Sequence, residues 1–394
     1  MRVLLFLLLV LPAYAARAQQ LLGQVVDAAT GRPIPYASIQ VLPGPQGTTT
    51  NADGEFELRA VPPASRLVVA ELGYRRDTVA LGASGARLVV RLVPAAVQLP
   101  EVVLDSYAAT LLAQAYRELR RTAGQYTYGQ AFYRQITRLA GQATEVQEMV
   151  WATQTSNARV EGTALTQARY AKKKALLAFN NFSLYTKAVT FFDAHLDSTA
   201  DQGIISLHAG QHYHLRVLGI TETDGQQLVE IGFTNRDSTA RTKQGSVIIE
   251  AASHQLLRLR LLTTGLHTKS NNPVFIFKRE QTQLEWAFRP QPRGAAQLEY
   301  MKIDYRAALS RPLQRALPLQ VTSFAYFYDG HPTPAPDVTY ALARNGQTDL
   351  VAIKQLPYDA DFWRQCSVVK RTPLEEEVVR AFEQQGAFGT LLTP

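Results

Sequence analysis

Histidines and aspartates concentrate in two segments of the sequence, and these residues are the ones best suited to metal chemistry. The first segment contains Asp193, His195 and Asp197, and the second contains His208, His212 and His214. If the second segment is a β-strand, its positions 212 and 214 point to the same face, as two zinc or copper ligands would. A half-exposed strand produces the same alternation without metal, because Tyr213 and Leu215 would form its apolar face. We predict solvent-facing histidines and no metal or cofactor, with a zinc or copper site as the alternative.

Other catalytic patterns are absent from the sequence. Neither H-E-x-x-H nor H-x-x-E occurs, so no local zinc-ligand motif of a metalloprotease or metallocarboxypeptidase is present. The G-x-S-x-G, G-x-G-x-x-G and P-loop patterns are also missing. The single cysteine, Cys366, has no nucleophile signature around it. The sequence therefore predicts a non-catalytic protein, and a metal-dependent hydrolase built on the histidine cluster is the alternative.

The composition and the N-terminus indicate an exported protein. Residues 1–18 combine Arg2, an apolar run and small residues at Ala16 and Ala18, which is the pattern of a secretory signal peptide. After residue 18 the sequence contains no run of 18 consecutive apolar residues, so no transmembrane helix is predicted. The 41 basic and 33 acidic residues give a net charge of +8, and the basic residues are scattered except at positions 172–174. No nucleic-acid partner is predicted, because a basic stripe with interleaved aromatic residues is missing.

Residues 20–94 have the pattern of a small antiparallel β-sandwich. Short apolar runs alternate with Gly, Pro, Asn and Asp clusters at intervals of roughly 8–12 residues. Ile39 and Val41 alternate with polar residues, so one face of that strand is predicted to enter the core. Asp53 and Gly54 predict a turn, since glycine adopts positive φ without steric cost.

This stretch resembles the carboxypeptidase regulatory-like domain, a transthyretin-like seven-stranded sandwich found at the N-terminus of many envelope proteins of Bacteroidota. The matching pieces are Gly23-x-Val25-x-Asp27, Gly31-x-Pro33-Ile34-x-x-Ala37-x-Ile39-x-Val41, Thr50-Asn51-x-x-Gly54-x-Phe56-x-Leu58 and Gly73-Tyr74. Asn51 stands where the family usually has aspartate. The resemblance implies no enzyme activity, because in metallocarboxypeptidases this module accompanies the catalytic domain.

The rest of the chain is predicted to be an α+β domain over residues 106–386, joined to the sandwich by a linker over residues 95–105. A helix is predicted from residue 106 to 120, with Leu111, Leu112, Ala115 and Leu119 on its apolar face. A second helix follows Thr372 and ends near Gly386, with residues 374, 378, 381 and 382 against the sheet. The predicted strands are 131–139, 145–152, 204–208, 212–220, 227–233, 246–250, 256–262, 274–278, 283–288, 297–306, 319–328 and 338–343, and residues 163–179 are either helix or loop.

One predicted hairpin, residues 245–259, resembles the hairpin of LolA-like lipoprotein-carrier folds, in which a curved antiparallel sheet partly closes around a helix. The pattern is a glycine, an apolar strand, an acidic residue, a turn and an apolar strand containing arginine. Two further motifs, Ala131-Phe132-Tyr133-Arg134 and Tyr358-Asp359-x-x-Phe362-Trp363, resemble recurrent features of envelope proteins that pair such a sheet with the sandwich. The resemblance implies a mainly β fold: the sandwich, then a curved antiparallel sheet backed by helices.

Three functions are compatible with these patterns. The favoured one is a non-catalytic protein of the cell envelope, located in the periplasm or associated peripherally with the outer membrane. Its sandwich would bind an envelope protein or a glycan, and a cleft in its curved sheet would hold an apolar or peptide ligand. The second is the metal-dependent hydrolase. The third is a small outer-membrane barrel, which the short predicted strands and the two flanking helices disfavour.

Overall fold

A computed structural model of the chain describes residues 19–44, 46–62, 64–81, 87–98, 105–173, 179, 181–194, 203–237, 241–264, 274–343, 348–366 and 368–388. The predicted signal peptide and residues 99–104 of the predicted linker lie outside these ranges. So do His195 and Asp197 of the first segment of histidines and aspartates. Within them, no helix is both long enough and apolar enough to cross a membrane.

Seven short strands between residues 19 and 92 form two sheets. They are β1 (Gln19–Asp27), β2 (Ser38–Leu42), β3 (Gly47–Thr49), β4 (Glu55–Val61), β5 (Arg66–Ala70), β6 (Asp77–Ala80) and β7 (Leu88–Leu92). One sheet has the order β4-β1-β7 and the other β3-β2-β5-β6. The predicted sandwich is confirmed, with one correction: β1 and β7 are parallel, whereas the other pairs are antiparallel.

The predicted turn residues shape the sandwich as expected. Gly54 has φ +69°, and a Cβ atom there would lie 2.7 Å from the carbonyl oxygen of Val25, so only glycine fits without strain. The side-chain oxygen of Asn51 accepts hydrogen bonds from the backbone N–H groups of Asp53 and Glu55, both at 2.9 Å. The turn between the two sheets is therefore fixed by local hydrogen bonds and by a close backbone contact.

A third, larger sheet contains eleven antiparallel strands. They are β8 (Val97–Gln98), β9 (Thr127–Leu139), β10 (Gln142–Thr155), β11 (Val160–Lys172), β12 (Tyr213–Thr223), β13 (Gln226–Asn235), β14 (Lys243–Glu250), β15 (Leu256–Thr263), β16 (Ile276–Arg289), β17 (Gln297–Arg311) and β18 (Gln314–His331). Their order is β11-β10-β9-β18-β17-β16-β15-β14-β13-β12-β8. In the described part of the chain the sheet is therefore open, with β11 and β8 at its edges.

Helices cover one face of this sheet. They are α1 (Asp105–Arg121), α2 (Leu184–Ala188), α3 (Ala209–His212) and α4 (Asp349–Lys354). The predicted apolar face of α1 is confirmed, because Leu111, Leu112, Ala115 and Leu119 are all buried in one core with sheet residues such as Trp151. Burial of this stripe fixes the helix on the sheet.

The opposite face carries the sandwich together with α5 (Ala360–Gln365) and α6 (Pro373–Gln384). The capping box at Thr372 is confirmed: Thr372 Oγ1 accepts from the Glu375 backbone N–H at 3.2 Å, and a Glu375 carboxylate oxygen accepts from the Thr372 N–H at 2.9 Å. The predicted contact of Leu374 with the sheet is wrong, because that side chain is 55% exposed. Val379 and Phe382 are the fully buried residues of α6.

Several predicted elements differ from the structure. Residues 163–172, left open between helix and loop, belong to strand β11 and pair with β10, with an irregular register at Thr166. Residues 204–208 form bends and turns instead of a strand, and residues 338–343 contribute only one bridge, between Ala341 and Thr163. The two strands predicted at 274–278 and 283–288 are one strand, β16, with an irregular register between Lys278 and Gln281.

Candidate ligand-binding cleft

The three histidines singled out in the sequence lie on different local structures. His208 precedes α3, His212 is the last residue of that helix, and His214 is the second residue of β12. The predicted strand therefore starts one residue after His212, and the two imidazoles do not share a strand face. Among the described residues, no group of three or more His, Cys, Asp or Glu side chains could hold a metal ion. The absence of a bound zinc or copper ion stays a prediction, which elemental analysis tests.

A cleft of about 380 Å³ opens beside the edge strand β11. It lies between the sheet, α2 and α4. The residues that line it are Met149, Trp151, Thr163, Leu165, Asn181, Leu184, Lys187, Ala341, Leu342, Ala343, Thr348, Asp349, Val351, Ala352 and Gln355. Most are apolar, and Leu342 and Val351 at its rim are 62% and 56% exposed. Exposed large apolar side chains beside an apolar cavity are typical of a binding site.

A charged pair stands inside the cleft. Lys187 Nζ donates to Asp349 Oδ1 at 3.1 Å, and the same ammonium group lies 4.6 Å from the centre of the Trp151 ring. Asp349 also accepts hydrogen bonds from the hydroxyl and the backbone N–H of Ser183. The carboxylate is thus compensated where it is buried, and the pair joins α2 to α4 across the cleft. An otherwise apolar cavity gains one polar position that can orient a ligand.

Local sequence signals place α4 at the cleft. Thr348 caps the helix, its side chain accepting from the Val351 N–H, and Asp349 in the first turn is favoured by the helix dipole. Ile353 anchors the helix in the core. One end of the cleft is formed where Thr163 and Ala341 exchange backbone hydrogen bonds of 2.9 and 3.0 Å. Sequence reasoning missed this helix, although a Thr-Asp pair before apolar residues is a recognisable helix start.

A buried carboxyl group on β10 has a structural role. Glu145 accepts hydrogen bonds from Thr137 Oγ1 at 2.7 Å, Tyr170 Oη at 2.8 Å and the Phe179 backbone N–H at 3.1 Å. Burial raises the pKa of this carboxyl, and the three donors only partly offset that rise. Because each donor comes from a different segment, Glu145 ties the chain at residue 179 to β9, β10 and β11.

The opposite face of the same strands carries a buried charge cluster. Glu148 on β10 is fully buried and pairs with Arg134 on β9 at 2.7 Å and with Arg169 on β11 at 2.5 Å, and Arg371 lies 3.8 Å away. Burial alone would raise the pKa of Glu148, but the charges of the three arginines outweigh it and hold the pKa far below its usual range. The carboxylate is therefore ionised in the folded protein.

This cluster brings the two recurrent motifs together. Arg134 comes from the first motif and Trp363 from the second. The guanidinium group of Arg169 stacks over the Trp363 ring, with its Cζ atom 4.8 Å from the ring centre. Arg134 also donates to the backbone carbonyl of Val369, and Arg169 pairs with Glu383 on α6. Both motifs are visible in the sequence, but their contact could not be predicted because more than 200 residues separate them.

The C-terminal segment also holds the sandwich. Lys370 pairs with Glu55 at 2.6 Å, Thr48 Oγ1 donates to the Val368 carbonyl at 2.7 Å, and the side-chain amide of Asn51 donates to the Arg371 carbonyl at 3.1 Å. An aspartate at position 51 could not donate this last hydrogen bond. Asparagine, in place of the usual aspartate, therefore allows position 51 to donate a hydrogen bond from the sandwich to the C-terminal segment.

Comparison with known proteins supports the N-terminal assignment. Residues 21–104 match the family model described as CarboxypepD_reg-like domain. No curated protein matches the chain.

Several solved structures match more than half of the chain. A complex of MucA and MucB from Pseudomonas aeruginosa is 12% identical, covers 55% of this chain and 93% of its own, and has a TM-score of 0.17. A LolA superfamily protein from Nitrosomonas europaea is 12% identical, with 58% and 95% coverage and a TM-score of 0.22. A putative outer membrane lipoprotein-sorting protein domain from Vibrio parahaemolyticus is 11% identical, with 57% and 92% coverage and a TM-score of 0.25.

Proposed function

We propose that this protein is a non-catalytic binding protein of the cell envelope that holds an apolar ligand, or the apolar part of a peptide, in the cleft beside β11. The observation that carries the proposal is the cleft itself. Its volume falls in the usual range of about 300–1,000 Å³ for ligand sites. Its lining is mainly apolar, and the pair of Lys187 and Asp349 supplies one polar contact.

The surroundings of the cleft favour binding over catalysis. Its lining contains no histidine or cysteine among the described residues. Lys187 is paired with the carboxylate of Asp349 and lies against the Trp151 ring, so its ammonium group is engaged by two partners. The metal-dependent hydrolase is less supported, because His212 and His214 lie on different elements.

The architecture also suits a binding role. α4 lines the cleft, and residues 368–371, which follow it in the chain between α5 and α6, hold the sandwich on the other face of the sheet. The family resemblance of residues 21–104 implies an accessory module without activity of its own. On this proposal the sandwich supports the sheet, and the cleft makes the contact with the ligand.

The rim residue Leu342 allows a direct test. We expect Leu342→Asp to weaken binding of an anilinonaphthalene sulfonate dye, and of apolar seven-residue peptides that compete with it, by about tenfold or more, since it places a charge at an apolar mouth. Fluorescence titration of the full chain measures both. The fold should be unaffected, because Leu342 is 62% exposed.

Leu313→Asp is the matched control. Leu313 is a fully exposed leucine in the turn between β17 and β18, outside the cleft lining. Its variant should bind dye and peptides like the unaltered protein. Equal binding by the unaltered protein and Leu342→Asp would refute the cleft as the binding site.

A further inference from the structure

A second, shallower groove of about 600 Å³ crosses β12, β13, β14 and β15. Its side chains alternate with buried residues such as Leu215, Ile231 and Val247, which pack in the core with α1. Because successive side chains of a strand point to opposite faces, the groove lies on the sheet face away from α1. The cleft beside β11 is at the other end of the strand order, so the two sites are separate.

The register of the strands places two arginines on either side of two small residues. Arg216 lies opposite Gly232, Gly232 opposite Ser246, and Ser246 opposite Arg260. With neighbouring strands about 4.8 Å apart, the two arginine backbones are about 14 Å from each other. The small residues between them keep the groove open. Leu218 packs across Gly232, where a Cβ atom would meet it at 3.0 Å, and forms an apolar wall.

The adjacent row of the same face carries uncharged hydrogen-bonding groups beside a histidine. His214 lies opposite Thr234, Thr234 opposite Gln244, Gln244 opposite Leu262, and Leu262 opposite Gln283. All five of these residues line the groove, and the polar ones are exposed. Hydroxyl and amide groups both donate and accept hydrogen bonds, which suits the hydroxyl groups of a sugar.

The charge of the groove is positive. In the described part of the chain, Arg216 has no carboxylate within ion-pair distance. Arg260 lies 3.4 Å from Glu285, but that carboxylate also pairs with Arg258 at 3.4 Å and accepts from Tyr300 at 2.9 Å, so it is shared. Glu230 lies on the same face of β13, two residues before Gly232. The two exposed arginines therefore retain the capacity to bind an anion.

We propose that this groove binds an acidic oligosaccharide. Arg216 and Arg260 bind carboxylate groups of the sugar, and Thr234, Gln244 and Gln283 exchange hydrogen bonds with its hydroxyls. Charge complementarity selects an acidic glycan over a neutral one, and the row of polar uncharged groups selects a sugar over an acidic peptide.

The test uses the full chain and a defined probe. Tetragalacturonate is titrated by calorimetry at low ionic strength, next to the same tetramer with methyl-esterified carboxylates and to a tetraglutamate peptide. We expect binding of tetragalacturonate, with at least about tenfold weaker binding of the ester and of the peptide. No binding of tetragalacturonate, or equal binding of the ester, would overturn the proposal. Equal or tighter binding of tetraglutamate would overturn the assignment to a sugar.

Paired variants localise the site. Arg216→Gln with Arg260→Gln should reduce the affinity for tetragalacturonate by about tenfold or more. Arg293→Gln with Arg315→Gln removes the same charge from two exposed arginines outside the groove and should leave the affinity unchanged. Equal losses in the two double variants would show attraction by net charge alone and would overturn the site. Dye binding in the cleft should be the same in the unaltered protein and in both double variants, which separates this test from that of the proposed function.

Discussion

Replacing Glu148 by glutamine tests the role of the buried charge cluster. The carboxylate is fully buried and is the shared partner of Arg134 and Arg169, whose side chains are 7% and 1% exposed. Glutamine has nearly the same shape but no charge, so Glu148→Gln leaves two buried guanidinium groups without their central counter-ion. Their remaining partners, Glu375 and Glu383, lie at the surface of the cluster, the latter 47% exposed.

The expected loss is large for a single substitution. Removing one partner of a buried ion pair usually costs about 3–5 kcal/mol, because a charge is left uncompensated in a poorly solvated place. We expect the free energy of unfolding to fall by about 3 kcal/mol or more, measured by urea unfolding at pH 7 and followed by tryptophan fluorescence. Trp363 reports directly on this region, since it lies against Arg169.

The pH dependence of the loss has a definite sign. The folded-state pKa of Glu148 is lowered relative to the unfolded state, so its contribution to stability is complete above the unfolded-state pKa of about 4.3 and is lost as the pH falls below it. The difference between the unaltered protein and Glu148→Gln should be constant from about pH 6 to 8. It should shrink as the pH falls through about 4 toward the lowered folded-state pKa.

An exposed ion pair provides the control. Asp361 pairs with Arg364 on α5, and both side chains are 76% exposed. Asp361→Asn should change the free energy of unfolding by no more than about 0.5 kcal/mol. A loss below about 1 kcal/mol for Glu148→Gln, or a loss that grows as the pH falls from 6 to 4, would refute the assigned role of the cluster.

Two further predictions concern α1 and the histidines. Leu112→Asp should destabilise the second domain by several kcal/mol in urea unfolding, because Leu112 is fully buried, whereas Thr110→Asp on the exposed face of the same helix should have little effect; similar losses for both would contradict the packing of α1. Elemental analysis should find the same zinc content in the unaltered protein and in the double variant His212→Ala, His214→Ala; about one zinc per chain, lost in the variant, would instead support the hydrolase.

Features with local signals could be predicted from the sequence. The turn at Gly54, the apolar stripe of α1 and the capping box at Thr372 each depend on residues within a few positions of one another, and each is confirmed. Strand β11 could not be assigned, because the stretch 163–179, which includes most of it, is rich in alanine and lysine, which favour helix. Its pairing with β10 overrides that preference, as tertiary context often does for strands.

The candidate sites depend on contacts between distant parts of the chain. Trp151, Lys187, Leu342 and Asp349 line one cleft although they span about 200 residues, and no local pattern relates them. The histidines were easy to notice in the sequence, but their joint orientation depended on one strand boundary, which falls between His212 and Tyr213. Residue type thus indicated possible chemistry, and only the fold decided which side chains meet.

The bridge between Thr163 and Ala341 has a consequence for self-association. A sheet with long unprotected edge strands can pair with the edge of another copy and start aggregation. Here one edge strand, β8, has only two residues. The other, β11, has thirteen, but the bridge at Thr163 occupies part of its outer side and α4 packs beside it. The hydrogen bonds between Thr163 and Ala341 therefore block strand pairing of two copies along the full length of β11.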